Sequence, residues 1–299
     1  MTRQATALVK SVLRPQPRRV ALGSPYAQTH VGQSEKPTLP LLGRSDGPRS
    51  RRRRFKHLTL VVGLHLGTHA IVAADTRVSY YIDDVFGYED DSEKLMMIDP
   101  GIISGAGLVS LLDNVKHRLD NDELGVIDRI ADLVKGEVAF AKESLAGSDA
   151  RVLEAIDYSA WMFTFVGVPP DVQPKTAFLR LGLVSADHDY AIAHIPPPDA
   201  WLLPPTGTTE EQFVAWKGRL KAGIKPLDKP EDFMDNLQYH IDLIGSLMRD
   251  VSEVNQGVAP TFQVGVHIVM PHIRLISSIM KAGDRVSWQE TMGLDEAEE

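Results

Sequence analysis

Hydroxyl, carboxylate, amine and imidazole side chains are the reactive groups of this 299-residue chain, because it contains no cysteine. That excludes a thiolate nucleophile, a disulfide scaffold and a Cys-based zinc site. Among the 10 histidines, His65, His69, His188 and His194 fall on or beside segments that read as strands, where they could cluster near a metal. No ligand spacing such as His-Glu-x-x-His occurs, so core or surface histidines are the better reading. The turn Ser104-Gly105-Ala106-Gly107 opens a helical pattern and could cradle a phosphate at the helix start. It lacks the rest of either nucleotide fingerprint. No metal and no organic cofactor is implied.

More telling is a succession of short segments. Thr59-Leu60-Val61-Val62-Gly63 is followed by Ile71-Val72-Ala73-Ala74-Asp75-Thr76-Arg77, then Ser92-Glu93-Lys94-Leu95, then Ser104-Gly105-Ala106-Gly107. Taken singly each is ordinary. Thr59 is a strand residue, Asp75 a turn residue, Lys94 a solvated strand end, and the glycines a strand-to-helix turn. In order and spacing, with Asp75 sixteen residues after Thr59, the set resembles the β-subunit of the proteasome and its bacterial homologues, which are N-terminal-nucleophile hydrolases. The match is best from Leu58 to about Leu119, and the helix–strand order to about Ser287 fits more loosely.

The resemblance implies a threonine-type peptidase. Thr59 matches the residue that begins the mature chain and whose hydroxyl attacks the scissile carbonyl. A free α-amine has a pKa of about 7.7–8.0, so it can take the hydroxyl proton and later deliver it to the leaving group. While residues 1–58 remain attached, the Thr59 nitrogen is a non-basic amide and the site is inert. Lys94 matches the active-site lysine, whose ammonium stabilises a developing alkoxide. Asp75 matches its partner, Arg77 a supporting charge, and Gly107 the residue whose N–H faces the oxyanion. Thr208 after Gly207 is the nearest match to a small hydroxyl residue ahead of a helix. Asp250 and Ser252 match, less well, an Asp and a Ser after the last helix, and both could equally cap that helix. Val78, Ser92, Met96 and Val109 fall near positions lining the family's primary pocket, and their mostly apolar character points to uncharged side chains.

The chain departs from the pattern in places. About three extra residues fall in Tyr80–Asp91, an acidic loop that could reshape the substrate groove. Leu58 precedes Thr59 where self-processing members have Gly, which puts autolysis in question. If Leu58 marks a start codon, trimming of the initiator Met would free Thr59 instead.

The elements expected to position these residues are read from periodicity. Leu58–Leu66 and His69–Ala74 form a hairpin around Gly67-Thr68, and Lys94–Ile98 and Ile102–Ser104 are short strands. Leu108, Leu111, Leu112, Val115 and Leu119 share one helical face, and Val126, Ile130, Leu133, Val134 and Val138 another. Strands return at Trp161–Val168, Phe178–Ser185 and Tyr190–Ile195. A Pro-rich corner, helices at Glu210–Leu220 and around Phe233–Met248, and strands at Phe262–Val269 and Ile273–Ser278 complete the order. Such segregated runs suggest an α+β fold with helices outside layered sheets. The resemblance sharpens this to a four-layer αββα sandwich.

Charge divides the chain. Residues 1–57 hold 13 Lys and Arg against 2 Asp and Glu, a net +11, whereas the rest holds 19 against 38, a net −19. Residues 1–58 read as a disordered basic arm, rich in Pro and ending near Arg51-Arg52-Arg53-Arg54, and 59–299 as the folded domain. A targeting peptide, a pro-segment, a nucleic-acid or membrane tail and a mis-assigned start all remain open for the arm. The acidic body argues against nucleic acid, and no apolar run approaches the ~18–20 residues of a bilayer span. The resemblance implies a cytoplasmic protein assembled with itself into a ring or helical array, acting on peptide or unfolded protein, with an ATP-dependent unfoldase as a conceivable partner. A non-catalytic subunit of the same fold and a small-molecule amidase stand as alternatives.

Overall fold

A computed structural model describes residues 59–82, 85–98, 101–121, 128–148, 150–167, 178–270 and 272–281. All of them belong to the unit Arg49–Glu299. The expected basic arm, Leu58, Asp83, Asp84 and Val126 lie outside the described residues.

The expected hairpin forms. β1 (Val61–His65) pairs antiparallel with β2 (His69–Asp75), Val61 opposite Ala74 and His65 opposite Ala70. Gly67 takes φ +93° in the turn, where a residue with a Cβ would be strained, and the Leu66 N–H closes it onto the His69 carbonyl at 2.9 Å. Both strands are buried on both faces and apolar except for His65, His69 and Asp75 at their ends, as expected of central strands covered on each side. They join β10 (Asp199–Leu203), β11 (Thr261–Met270) and β12 (His272–Lys281) in a sheet of order β10-β1-β2-β11-β12. A second antiparallel sheet has the order β5-β6-β7-β8-β9, from β5 (Met96–Ile98), β6 (Gly101–Ala106), β7 (Ala160–Gly167), β8 (Phe178–Val184) and β9 (Ala193–Ile195).

The helices are α1 (Val109–Asn121), α2 (Asp128–Ser144), α3 (Ala150–Asp157), α4 (Glu210–Gly223) and α5 (Phe233–Val254). One apolar cluster joins the first sheet to α5, through Leu64, Ile71, Ile241, Ile244 and Met248. Another joins the second sheet to α1 and α2, through Ile103, Phe163, Val115 and Val134. A third holds residues of both sheets, Val61 and Val72 from one and Ile102, Met162 and Leu183 from the other. Gly265 lets the sheets approach: a Cβ there would meet Ile102 at 2.9 Å and Leu95 at 3.2 Å. The fold is therefore α+β, built on antiparallel sheets with helices packed against them.

Several expectations need correction. The acidic loop Tyr80–Asp91 is largely a two-stranded ribbon, β3 (Val78–Ile82) paired with β4 (Val85–Glu89). Its alternation of Val, Tyr, Ile and Phe outweighs its acidic residues. α3 went unread because its eight residues are too few to show a clear period. β10 follows directly on a run of three prolines, which fix the chain before the strand without preventing it. The strand expected from Tyr190 starts only at Ala193, because Asp189 and Tyr190 turn the chain with φ +48° and +57°. No helix among the described residues is long and apolar enough to cross a membrane.

Candidate active site

The hairpin, the start of β11 and the segment before β5 converge on Asp75. Thr59 leads into β1, and Asp75 ends β2 opposite Leu60. Two hydrogen bonds lock that pair, from the Asp75 N–H to the Leu60 carbonyl at 3.2 Å and from the Leu60 N–H to Asp75 Oδ1 at 2.8 Å. Asp75 Oδ2 accepts the Arg77 N–H at 2.9 Å and, from the loop before β11, the Ala259 N–H at 3.4 Å. It also accepts Lys94 Nζ at 3.1 Å, and the same ammonium donates to Thr59 Oγ1 at 3.1 Å and to the Arg77 carbonyl.

Lys94 comes from the segment leading into β5 of the other sheet, and its backbone is fixed independently of its side chain. Gln263 of β11 accepts the N–H groups of Lys94 and Leu95 on Oε1, and Ser104 Oγ donates to the Lys94 carbonyl at 3.1 Å. Gln263 and Ala259 belong to none of the motifs, and Ser104, the first residue of Ser104-Gly105-Ala106-Gly107, had no role assigned to it. Gln263 carried a usable signal, a polar side chain that, with His267, interrupts the buried run Phe262–Ile268.

Asp75 is fully buried and Lys94 is 7% exposed. Burial pushes the Lys94 ammonium below its usual range, with the charge of Asp75 opposing that shift. Burial raises the Asp75 carboxyl, against the pull of Lys94 and of the Leu60 and Arg77 N–H donors. Lys116 on α1 is also lowered, first by burial and further by Lys94. An ammonium held this way, donating to a hydroxyl oxygen, favours the alkoxide form of that hydroxyl.

Thr59 and Gly107 line one cleft, a cavity of about 500 Å³ that also includes Ser185, Trp201 and Thr208. Gly107 sits at φ +139°, and a Cβ there would overlap the Ser159 side chain and come within 2.5 Å of the Ser159 Cα. Both the conformation and the space require glycine.

The remaining expected residues do not join the Thr59 hydroxyl. Arg77 contributes its carbonyl, whereas its guanidinium turns outward to grip Asp90 through Nε at 2.7 Å and Nη2 at 2.9 Å and lies over the Tyr88 ring. Thr208 lines the cleft but donates its hydroxyl to the Pro205 carbonyl at 2.6 Å. Asp250 is part of α5 and pairs with Arg219 of α4. Ser252 donates to the Arg249 carbonyl within the same helix at 2.7 Å, the local bond open to a helical serine. α5 runs on to Val254, past both residues, so the turn that would have carried them toward the site starts later. His65, His69 and His194 are not gathered: His65 bonds the Leu179 carbonyl, His69 packs on Phe233, and His194 on Phe165. No metal-holding group of side chains occurs among the described residues.

No family model and no curated protein matches the chain. Among solved structures it is similar to the Anbu (Gly-1) mutant from Hyphomicrobium sp. strain MC1, with 14% identity over 76% of this chain and 89% of that one and a TM-score of 0.50. Anbu from the same strain gives the same identity and coverage at a TM-score of 0.49. Anbu is a bacterial proteasome-like N-terminal-nucleophile hydrolase, and at this identity the likeness is one of fold alone. The resemblance drawn from short motifs is thereby corrected. No family model supports placing the chain with the proteasome β-subunit, because segments such as Ala73-Ala74-Asp75-Thr76-Arg77 specify a hairpin end with a buried carboxylate more than a lineage. What stands is an α+β fold similar to that of Anbu.

Proposed function

We propose that the protein is an amide hydrolase of the N-terminal-nucleophile type, and more finely a threonine peptidase, with Thr59 as nucleophile. The observation that carries this is the Lys94 ammonium, 3.1 Å from both Thr59 Oγ1 and Asp75 Oδ2, with Thr59 at the wall of a cleft. Asp75 keeps Lys94 charged and aimed. Lys94 lowers the energy of the Thr59 alkoxide. The base is the α-amine of Thr59, once the bond to Leu58 is cut. That amine takes the hydroxyl proton as Oγ1 attacks the amide carbonyl, and returns it to the departing amine. Water then hydrolyses the acyl-enzyme by the same relay. The Gly107 N–H is the candidate donor to the oxyanion.

The same reading takes the fold as a four-layer αββα sandwich, supported by the three apolar clusters described above. Self-association into a closed or helical array belongs with it. Phe140 and Tyr158, 63% and 64% exposed, offer apolar surface for such contacts.

The test is hydrolysis of fluorogenic peptide amides by protein whose first residue is Thr59, freed by a removable N-terminal fusion. Activity should appear only after the fusion is removed and should vanish in Thr59→Ala. Full activity in Thr59→Ala would refute the mechanism. Release of ammonia from small amides, with no cleavage of peptides, would favour the small-molecule amidase.

A further inference from the structure

None of Val78, Ser92, Met96 and Val109, the positions expected to shape a specificity pocket, lines the cleft beside Thr59. Its lining comes instead from α3, α4, β10 and the adjoining ends of β6 and β7. Beside Gly107, Ala106 and its cross-strand partner Ala160 are small, apolar and buried. Trp201 of β10 and Phe213 of α4 supply two aromatic rings, each half-buried. Trp201 packs on the cluster shared by the two sheets, and Phe213 on the cluster that joins the first sheet to α5. Each ring therefore rests on the core and leaves its remaining surface to the cleft. Tyr158, 64% exposed, completes the aromatic lining after α3.

The two half-buried rings are held in place by the fold itself. The Lys217 ammonium of α4 lies 3.1 Å from the centroid of the Trp201 ring and 5.5 Å from that of Phe213. Lys221 of the same helix pairs with Asp199 at the start of β10 at 2.7 Å. α4 buries only Leu220 and adds little to the core, whereas it braces this wall. Rings fixed in a cavity of about 500 Å³ keep apolar surface in water that a ligand of the same kind would cover. Glu154, Asp157, Asp187 and Glu210 also line the cleft, all exposed, and neither Lys nor Arg does among the described residues. Such carboxylates repel an anionic ligand, yet being solvated they gain little from a cationic one.

We infer that this cleft selects peptides with a large aromatic side chain beside the bond attacked by Thr59, and that Trp201 and Phe213 read that side chain. The inference rests on the proposed hydrolase reading for the position of that bond only. The incoming ring packs offset or edge-on against Trp201 and Phe213, while Ala106 and Ala160 leave room for peptide backbone near Thr59. An aliphatic side chain gains the burial without the ring contacts.

The test measures binding without turnover. The full chain carrying Thr59→Ala is titrated with fluorescently labelled hexapeptide amides, identical except for a central Phe, Leu, Arg or Glu, and followed by anisotropy in about 0.15 M and about 0.5 M salt. Two ring contacts multiply to roughly tenfold tighter binding of the Phe peptide over the Leu peptide. That ratio should be the same at both salt concentrations, and the Glu peptide should bind weakest. Trp201→Leu and Phe213→Leu should each lower the Phe preference to about threefold, and together they should remove it. Trp201→Phe, which keeps a ring, should retain most of it. Equal affinities, binding of none of the peptides, or tightest binding of the Arg peptide at the lower salt would overturn the inference. So would a Phe preference that survives in the double variant but is lost in Val78→Ser. Because no hydrolysis is needed, a Phe preference in a protein that never cleaves peptides would support the cleft and refute the catalytic reading. Cleavage without a Phe preference would do the reverse.

Discussion

Asp75→Asn changes one charge and almost no volume, so its effect isolates the electrostatics of the site. Asp75 is fully buried and receives the Leu60 N–H on Oδ1 and the Arg77 N–H, the Ala259 N–H and the Lys94 ammonium on Oδ2. All four are donors. Asparagine presents one oxygen and one NH₂ group, so in either orientation at least one donor faces another donor. A buried N–H left without an acceptor costs about 1–3 kcal/mol. Lys94, 7% exposed, also loses its counter-charge, and breaking a buried pair costs about 3–5 kcal/mol. These costs overlap, and about 4 kcal/mol is the working figure, a large share of the roughly 5–15 kcal/mol that holds a domain folded. At about 2–4 °C per kcal/mol, the thermal midpoint should fall by roughly 8–16 °C.

Lys94→Met is the informative companion. It removes the charge that pulls the Asp75 carboxyl down, so the raised carboxyl moves further up. A carboxyl whose folded pKa lies above its unfolded value of about 3.9 supports the fold below that value and loses the contribution as pH rises through the folded pKa. The deficit of Lys94→Met should therefore be smallest near pH ~4 and grow toward neutrality. Urea unfolding of both variants and the parent chain at several pH values measures this. An Asp75→Asn loss under about 1 kcal/mol, or a Lys94→Met deficit independent of pH, would show that the pair is not the buried charge centre described.

Gly107→Ala places a Cβ against the Ser159 backbone at φ +139°, so it should cost about 1–3 kcal/mol in urea unfolding and abolish peptide hydrolysis; a neutral effect would mean the turn is loose. His267 is 1% exposed and burial holds its pKa at about 4, below the unfolded 6.5, so stability should fall as pH drops from 6.5 toward 4, by up to about 3 kcal/mol. His267→Gln should flatten that dependence in part, because His69 is held at about 4 in the same way; an unchanged slope would exclude His267. Asp250→Asn removes only a half-exposed pair with Arg219, so stability should change by less than about 0.5 kcal/mol and hydrolysis not at all, and a large loss of activity would restore Asp250 to the site.

What the sequence disclosed follows the range of the forces involved. The hairpin of β1 and β2 was legible because a glycine turn and unbroken runs of Val, Ile, Leu and Ala act within a few residues. α1, α2 and α5 were legible because each is long enough to show an apolar period, whereas α4 buries only Leu220 and shows almost none. α3 is too short for a period, and β3–β4 was obscured because charged residues interrupt and flank an otherwise β-forming stretch of sequence. Thr59, Asp75, Lys94 and Gly107 were named from the family resemblance that the motif order carries, and the structure brings Thr59 and Asp75 within hydrogen-bond distance of Lys94 and places Gly107 in the same cleft as Thr59. The residues that hold them were not legible. Gln263 lies 169 residues from Lys94 and Ala259 lies 184 from Asp75, so their roles exist only once β11 is seated beside β2. Asp250 and Ser252 failed for the converse reason. Their match depended on where α5 ends, and helix ends are the least constrained feature of a periodic pattern.

This arrangement also bears on how Thr59 can act as a chain end. A residue at a new N-terminus ordinarily frays, since nothing before it holds the strand. Here the next residue is held twice, by the Leu60 N–H on Asp75 Oδ1 and the Asp75 N–H on the Leu60 carbonyl, and Leu60 itself is fully buried. Thr59 is held in turn by Lys94, whose backbone is tied down by Gln263 and Ser104. None of these bonds involves a residue before Thr59. The same carboxylate orients the lysine and anchors the strand that follows the proposed nucleophile. Loss of Asp75 should for that reason impair the position of Thr59 and the charge beside it together.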